Sequence, residues 1–220
     1  MNAAGRAKHR VLIVDDHPIV RHGLAELIAA DTALEVCGEA ASAEEALQQV
    51  EATSPHVVVV DLSLKSGHGI ELIEQIRARH EHVKMLVSSV HDEAVFAERA
   101  LRAGAMGYVN KEEATETVIA AIHQVLEGRI FLSESMSNRL LTTVVEGQPL
   151  GEDPVRSLSN REIEVFEMIG QGLTTKQIAN KLHLSPKTVE THREKIKTKL
   201  NLANSTELSH RAVQWVMENR

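Results

Sequence analysis

The sequence predicts an α/β domain with a doubly wound, five-stranded parallel sheet, followed by a small all-α domain. Two observations carry this expectation. From Val11 to Leu126, five short apolar runs alternate with five stretches of helical period, and the runs are mostly apolar throughout rather than at every second residue. Strands apolar on both faces belong to a parallel sheet covered on both sides, and parallel neighbours need a helical crossover. Beyond residue 155 the β-patterned runs stop and only helical periodicity continues.

In chain order, Val11 to Val14 is the first expected strand, and Pro18 to Ala30 a helix with proline at its first position. Leu34 to Cys37 follows as a strand and Ala43 to Glu51 as a helix. The run Val57 to Val60 precedes helical Gly69 to Arg79. Lys84 to Val87 precedes Glu93 to Ala103, and Met106 to Val109 precedes Glu113 to Leu126. Glycines and prolines at loop-like spacing mark residues 128–154 as a linker with one short helix. It separates a first domain over 8–127 from a second over 155–220. The second reads as helices over Asn160 to Ile169, Thr175 to Leu182, Pro186 to Leu200 and Ser205 to Glu218.

At 220 residues the chain can build two domains, each with its own core. Hydrophobic residues at 43% and charged residues at 25% exclude wholesale disorder. Aromatics at 2% require aliphatic cores and argue against an aromatic-lined cofactor pocket or base-stacking platform. The single cysteine, Cys37, cannot form an internal bridge, and MNAAGRAKHR lacks the apolar core of a signal peptide, so a reducing, cytoplasmic setting is expected. No apolar run approaches the ~20 residues that span a bilayer, so no membrane partner is expected. The net charge of -7 taken as an average disfavours a polyanionic partner, but it is unevenly distributed. Residues 157–220 hold 10 Lys and Arg against 7 Asp and Glu, net +3, whereas residues 1–156 hold 14 against 24, net -10.

In a parallel sheet the residues just past the strand ends collect on one edge, where ligand sites of α/β domains form. Here that edge receives Asp15 and Asp16, Asp61, Ser88 and Ser89, and Asn110 and Lys111. Three carboxylates so close repel one another unless a cation sits among them, and hard oxygen ligands suit Mg²⁺. A carboxylate such as Asp61 can attack phosphorus to form an acyl phosphate, with Lys111 as a compact positive charge and the Ser89 hydroxyl as a donor to a phosphoryl oxygen. Any one of these residues alone is more simply a helix cap or solvated surface; the four positions together make a metal-dependent phosphoryl site.

The segments HRVLIVDDHPIVRHGL, VVVVDLSLKSGHGIEL, SSVHDE and GAMGYVNK resemble the receiver domain of two-component response regulators across residues 8–127. The resemblance implies a flavodoxin-like sheet, Asp61 as phosphoacceptor, and Asp16, Asp61 and the Ser63 backbone carbonyl as Mg²⁺ ligands assisted by Asp15. It implies Ser89 as the switch hydroxyl, Lys111 as the phosphoryl contact and Tyr108 as the switch aromatic. This chain departs from the family with Lys65 and Glu112 where proline is common, and it carries Ser63 and His91 where members tune access of the hydrolytic water.

The second domain carries helix signals at each boundary: Ser159 with Glu162 as a capping box, Gly172 as a stop, Thr174 as a cap, and Ser185 before Pro186. Lys187, Arg193, Lys195, Lys197 and Lys199 share the third helix with Glu190 and Glu194, while Val189, Ile196 and Leu200 are spaced to face inward. A basic helix after a shorter helix and a tight turn can lie in the DNA major groove. EIEVF, GLTTKQIA and SPKTVETH resemble the LuxR/GerE-type helix-turn-helix, and the whole chain resembles a NarL/FixJ-type response regulator. By that resemblance Lys187 and Thr188 contact phosphates, and Glu190, Thr191, Arg193, Glu194 and Lys197 face the groove, with Lys195 on the same basic face. Glu190 stands where some relatives have lysine; a carboxylate accepts from cytosine N4 and repels phosphate. Asn160 replaces a common proline, and Asn201 a common glycine that asparagine can replace in a left-handed cap.

The expected function is a phosphorylation-switched transcription regulator and not an enzyme. Its expected partners are a sensor histidine kinase, promoter DNA, a second copy of the chain and RNA polymerase. One alternative keeps DNA binding without phosphorylation. Another is an aspartate-dependent phosphatase, disfavoured because Ser63 occupies the place of its second aspartate. The 12 histidines show no metalloprotease or Cys/His spacing. His17 is expected to pack or hydrogen-bond beside the acidic pair, and Trp215 to lie in the core or on a dimer face.

Overall fold

Four consecutive valines form β3 (Val57–Val60), all buried, and the sheet is assembled around it. In the computed structural model, which describes residues 7–64, 68–112, 115–145 and 154–219, its neighbours are β1 (His9–Val14) and β4 (Lys84–Ser89). The edges are β2 (Leu34–Ala40) and β5 (Gly107–Asn110), giving the order β2-β1-β3-β4-β5 with every pair parallel. The chain divides into two units, Met1–Ser137 and Asn138–Arg220.

β2 is longer than its apolar run because pairing continues after apolarity ends. A register shift at Val11/Leu12 lets Gly38, Glu39 and Ala40 pair with Leu12, Ile13 and Val14. β5 begins one residue later than expected, although the Met106 amide already bonds to the Met85 carbonyl at 2.7 Å.

The crossovers are α1 (Pro18–Ala30), α2 (Ala43–Thr53), α3 (Gly69–Arg79), α4 (Glu93–Ala103) and α5 (Thr115–Leu126). The expected start of α5 at Glu113 lies outside the described residues. Ser42 and Asp92 cap α2 and α4 by accepting from the Glu45 and Ala94 amides. On one sheet face Val11, Ile13, Val57, Val59 and Leu86 pack with Leu24 and Ile28 of α1 and Ile122 and Val125 of α5. Alternate residues Leu12, Val58, Met85 and Val87 are buried as well, along with Ala46 and Val50 of α2, Ile73 of α3 and Phe96 of α4. Within the expected linker, α6 (Glu134–Val145) is a helix of 12 residues, while 146–153 lies outside the described residues.

The second unit contains a 3-10 turn (Pro154–Ser157), α7 (Asn160–Gly170), α8 (Thr175–Lys181), α9 (Pro186–Lys199) and α10 (Ser205–Asn219). Ser159 and Glu162 form the expected capping box, and Thr174 forms another with Gln177. Gly172 ends α7 at φ 83° and Asn201 follows α9 at φ 53°, so asparagine does hold the left-handed conformation. Phe166 of α7 packs on Trp215 of α10 with ring centroids 5.6 Å apart, and Trp215 is core. Val189 and Ile196 are buried on α9, whereas Leu200 is only half-buried as its C-cap.

Glu162 also ties the start of α7 to the end of α9. Its Oε2 accepts from the Ser159 amide at 2.8 Å and from Lys199 Nζ at 2.6 Å. Burial opposes the charge of this carboxylate, but Lys199 and the Ser159 amide outweigh it and hold the pKa below the usual 4.5. The unfolded chain therefore binds the proton more tightly. The stabilisation is complete above pH 4.5 and is lost as pH falls through the lower, folded value. Urea unfolding of the full chain at a series of acidic pH values should show the second unit weakening, with the slope reduced in Glu162→Gln.

Gly69 governs how α3 leaves the β3 end. A Cβ there would lie 2.2 Å from the Asp61 carbonyl oxygen and 2.7 Å from Leu62 Cα, so only glycine lets the helix start against the turn that carries Asp61. Gly69→Ala is expected to destabilise the first unit by about 1–3 kcal/mol in denaturant unfolding. Gly23→Ala in α1, where nothing lies within 4 Å of the added carbon, should be neutral or stabilising.

Candidate functional site

Backbone pairing carries the sheet ladder one residue past its strands and so places the polar residues. The Asp61 amide donates to the Val14 carbonyl at 2.8 Å, setting Asp61 beside Asp15 at the point where the strand order reverses. The Lys111 amide donates to the Ser89 carbonyl at 2.9 Å, linking the ends of β4 and β5. Asp15, Asp16 and Asp61 are 1–2% exposed.

Lys111 Nζ lies 2.5 Å from Asp15 Oδ2 and 2.8 Å from Asp61 Oδ2. Burial pushes the Asp61 carboxyl above the usual carboxylate range, against the pull of Lys111 and with the help of Asp15. Burial also opposes the charge on Lys111, but Asp61 and Asp15 together outweigh it and raise the ammonium above its ordinary value. Lys111 is thus held charged between two carboxylates.

The residues fit a divalent cation. One ligand atom from each of Asp15, Asp16, His17 and Asp61 lies within 4.8 Å of the others, and Asp61 Oδ1 is buried without a hydrogen-bond partner. Three buried carboxylates facing one ammonium are left with excess negative charge, and oxygen donors of this kind suit Mg²⁺.

Around this pocket the other expected residues form one hydrogen-bonded chain. Ser63 Oγ and His91 Nε2 are 2.7 Å apart, and the Tyr108 hydroxyl donates to the His91 carbonyl at 2.9 Å. The Ser89 hydroxyl is fully buried and accepts from the His91 amide at 3.4 Å. His91 thereby joins the loop after Asp61 to Tyr108 through its ring and its backbone. Ser63 presents a hydroxyl bonded to His91 where a phosphatase would need a second carboxylate. Sequence reasoning missed Arg21, whose Nη1 donates to the Asp15 carbonyl at 2.7 Å; nothing in its α1 context signals that role. Lys65 lies outside the described residues.

In the second unit α8 and α9 form the helix-turn-helix. The α9 surface differs from a plain basic face. Arg193 pairs with Glu190 at 3.5 Å and Lys197 with Glu194 at 2.9 Å, and the two cations are 14% and 16% exposed against 54% and 68% for the glutamates. Thr175 at the start of α8 donates to Glu190 Oε1 at 2.6 Å, a tie across the turn that no sequence motif announces. Lys187, Thr191 and Lys195 are exposed and Thr188 is half-buried, and Thr188 and Thr191 bond locally to Ser185 Oγ and the Lys187 carbonyl. Among the described residues no helix is long and apolar enough to cross a membrane.

Removing Lys111 leaves Asp15 and Asp61 facing each other in a buried site. Lys111→Met is expected to cost about 3 kcal/mol without divalent ions. Added Mg²⁺ should recover more of the thermal midpoint in the variant than it adds to the wild type; equal gains would show that metal and ammonium do not share the site.

Comparison with known proteins agrees with this geometry. Residues 11–123 match the family described as "Response regulator receiver domain", and residues 156–212 match "Bacterial regulatory proteins, luxR family". The chain is 36% identical over 204 residues to the transcriptional activator protein ExaE of Pseudomonas putida, covering 93% of this chain and 95% of that one. It is 37% identical over 201 residues to the transcriptional regulatory protein UhpA of Salmonella typhimurium, covering 91% and 96%. Among solved structures, RcsB from Salmonella enterica serovar Typhimurium, bound to promoter rprA in the presence of the phosphomimetic BeF3-, aligns at 26% identity with a TM-score of 0.61, covering 92% and 97%. This combination of domains is that of response-regulator transcription factors rather than of enzymes. The chain belongs to the two-component response regulators that join a receiver domain to a LuxR-type DNA-binding domain.

Proposed function

We propose that a sensor histidine kinase phosphorylates Asp61 and that this event governs binding of promoter DNA by the second unit. The observation that carries the reading is the buried Lys111 ammonium shared by Asp15 and Asp61, on the same chain as a helix-turn-helix. In the transfer step an Asp61 oxygen attacks phosphorus. A phosphorus–oxygen bond forms as the phosphorus–nitrogen bond of the donor phosphohistidine breaks, leaving an acyl phosphate and a histidine that takes up a proton. Lys111 already contacts Asp61 Oδ2 and is placed to stabilise charge on the arriving group. Asp15, Asp16, Asp61 and the Ser63 backbone carbonyl would hold Mg²⁺, which when bound would supply positive charge beside the phosphoryl oxygens.

Ser89 donates its hydroxyl to the phosphoryl group in this reading. That movement disturbs the His91 amide contact and, through the His91 carbonyl, the Tyr108 hydroxyl. The result is a population shift whose size is set by the difference in phosphoryl contacts between the two states. On DNA, Lys187, Thr188 and Lys195 serve the phosphates, while Glu190, Thr191, Arg193, Glu194 and Lys197 face the groove. A pair of chains reads two half-sites, in the cytoplasm where kinase, promoter and RNA polymerase meet. Functionally, 8–127 is the receiver, 128–154 the linker and 155–220 the reader.

The test uses the full chain, acetyl phosphate with Mg²⁺, and DNA fragments selected by the wild-type protein. Phosphorylation should raise wild-type affinity by about 5- to 150-fold, the usual span of allosteric coupling. Asp61→Ala should show no gain while keeping its basal DNA binding. A full response in Asp61→Ala would overturn the switch in favour of regulation without phosphorylation.

A further inference from the structure

We propose that His17 is a direct nitrogen ligand in the metal centre, giving this receiver a higher preference for zinc-like divalent ions over Mg²⁺ than its carboxylates alone would confer. The inference rests on the reading of Asp15, Asp16 and Asp61 as metal ligands and adds a donor of a different chemical class.

His17 is held against the acidic pair by its own backbone, since its amide donates to Asp15 Oδ1 at 2.8 Å. Its ring Nδ1 lies 2.6 Å from Asp16 Oδ1 and 3.4 Å from Asp15 Oδ1. The 2.6 Å separation is an ion-pair contact, and it keeps Nδ1 within 4.8 Å of ligand atoms of Asp15, Asp16 and Asp61. The ring is not occupied in ending the helix: His17 is the N-cap of α1 yet makes no side-chain cap bond, whereas the caps of α2, α3 and α4 all do. The ring is turned to the carboxylates instead.

An independent pointer to a cation is Asp61 Oδ1. Asp61 is 2% exposed and Oδ1 has no hydrogen-bond partner, although it lies in the cluster of ligand atoms that includes His17 Nδ1. The ring of His17 is 57% exposed, so it stands at the solvent side of a centre whose three carboxylates are buried. Three carboxylates favour Mg²⁺ and Mn²⁺, but imidazole adds little for Mg²⁺ and much for Zn²⁺. The consequence is a change in selectivity at one site.

The test uses the full chain loaded with Mn²⁺ as a paramagnetic probe. Electron spin-echo spectroscopy should show nitrogen-14 coupling from a coordinated imidazole in the wild type and in His22→Gln, and none in His17→Gln. Displacement of the bound Mn²⁺ by Zn²⁺ should weaken by about 10-fold in His17→Gln while displacement by Mg²⁺ changes by less than about 2-fold. The direct coupling matters because losing a residue that only hydrogen-bonds to a ligand can also cost about 10-fold in affinity. Bound Mn²⁺ without nitrogen coupling, or coupling that survives His17→Gln, overturns the role of His17 and leaves the carboxylate centre standing. Mn²⁺ binding unaffected by Asp61→Asn overturns the carboxylate reading and this inference with it.

Discussion

The Lys111 ammonium between Asp15 and Asp61 is the contact on which the chemistry of the first unit depends. A cation at that spot requires β5 to end beside β4 and β3 to end beside β1, so the site exists only when the whole parallel register is correct. Lys111 and Asp15 are 96 positions apart in sequence, yet both sit, with Asp61, within one step of a strand end. Burial makes the arrangement consequential, because a carboxylate deprived of water responds strongly to the arrival or loss of any neighbouring charge. Addition of a phosphoryl group, which brings negative charge into this pocket, is therefore an event the surrounding hydrogen bonds must register.

His91 ties together the hydrogen bonds around this pocket. Its ring meets Ser63, its amide meets Ser89, and its carbonyl meets Tyr108. One residue thus touches the loop after Asp61, the Ser89 hydroxyl and a buried aromatic. The ring also lies 4.7 Å from that of Phe96 on α4, so a shift of His91 is felt by the helix that follows. Rigid packing is what turns a displaced hydrogen bond into a choice between discrete arrangements.

The second unit shows a related economy on α9. Its glutamates are more exposed than the cations they pair with, so the α9 surface presents carboxylates and hydroxyls together with lysines. Glu190 is fixed from two sides, by Thr175 of α8 and by Arg193 of α9, which makes it a rigid feature rather than a stray charge. A net charge of +3 over residues 157–220 provides modest general attraction to phosphates. Under the proposed function, discrimination between DNA sequences rests on how this mixed surface meets base edges.

Local patterns made the architecture legible. Continuous apolar runs such as Val57–Val60 demanded a sheet buried on both faces, and the caps at Ser159, Thr174 and Ser185 marked helix starts through bonds that span three residues. The acidic residues, Ser89 and Lys111 were legible for the same reason, because a parallel sheet sends everything after its strands to one edge. By contrast, the extra length of β2, the need for glycine at position 69, the Arg21 contact with Asp15, the Thr175–Glu190 tie and the orientation of His17 have no local signature. Each depends on where a distant backbone or side chain comes to rest, which only packing in three dimensions decides. The sequence by itself therefore determined which groups were present and which edge or helix would carry them. The tertiary structure decided which of them touch, because contact depends on distances set by register and close packing rather than by spacing along the chain.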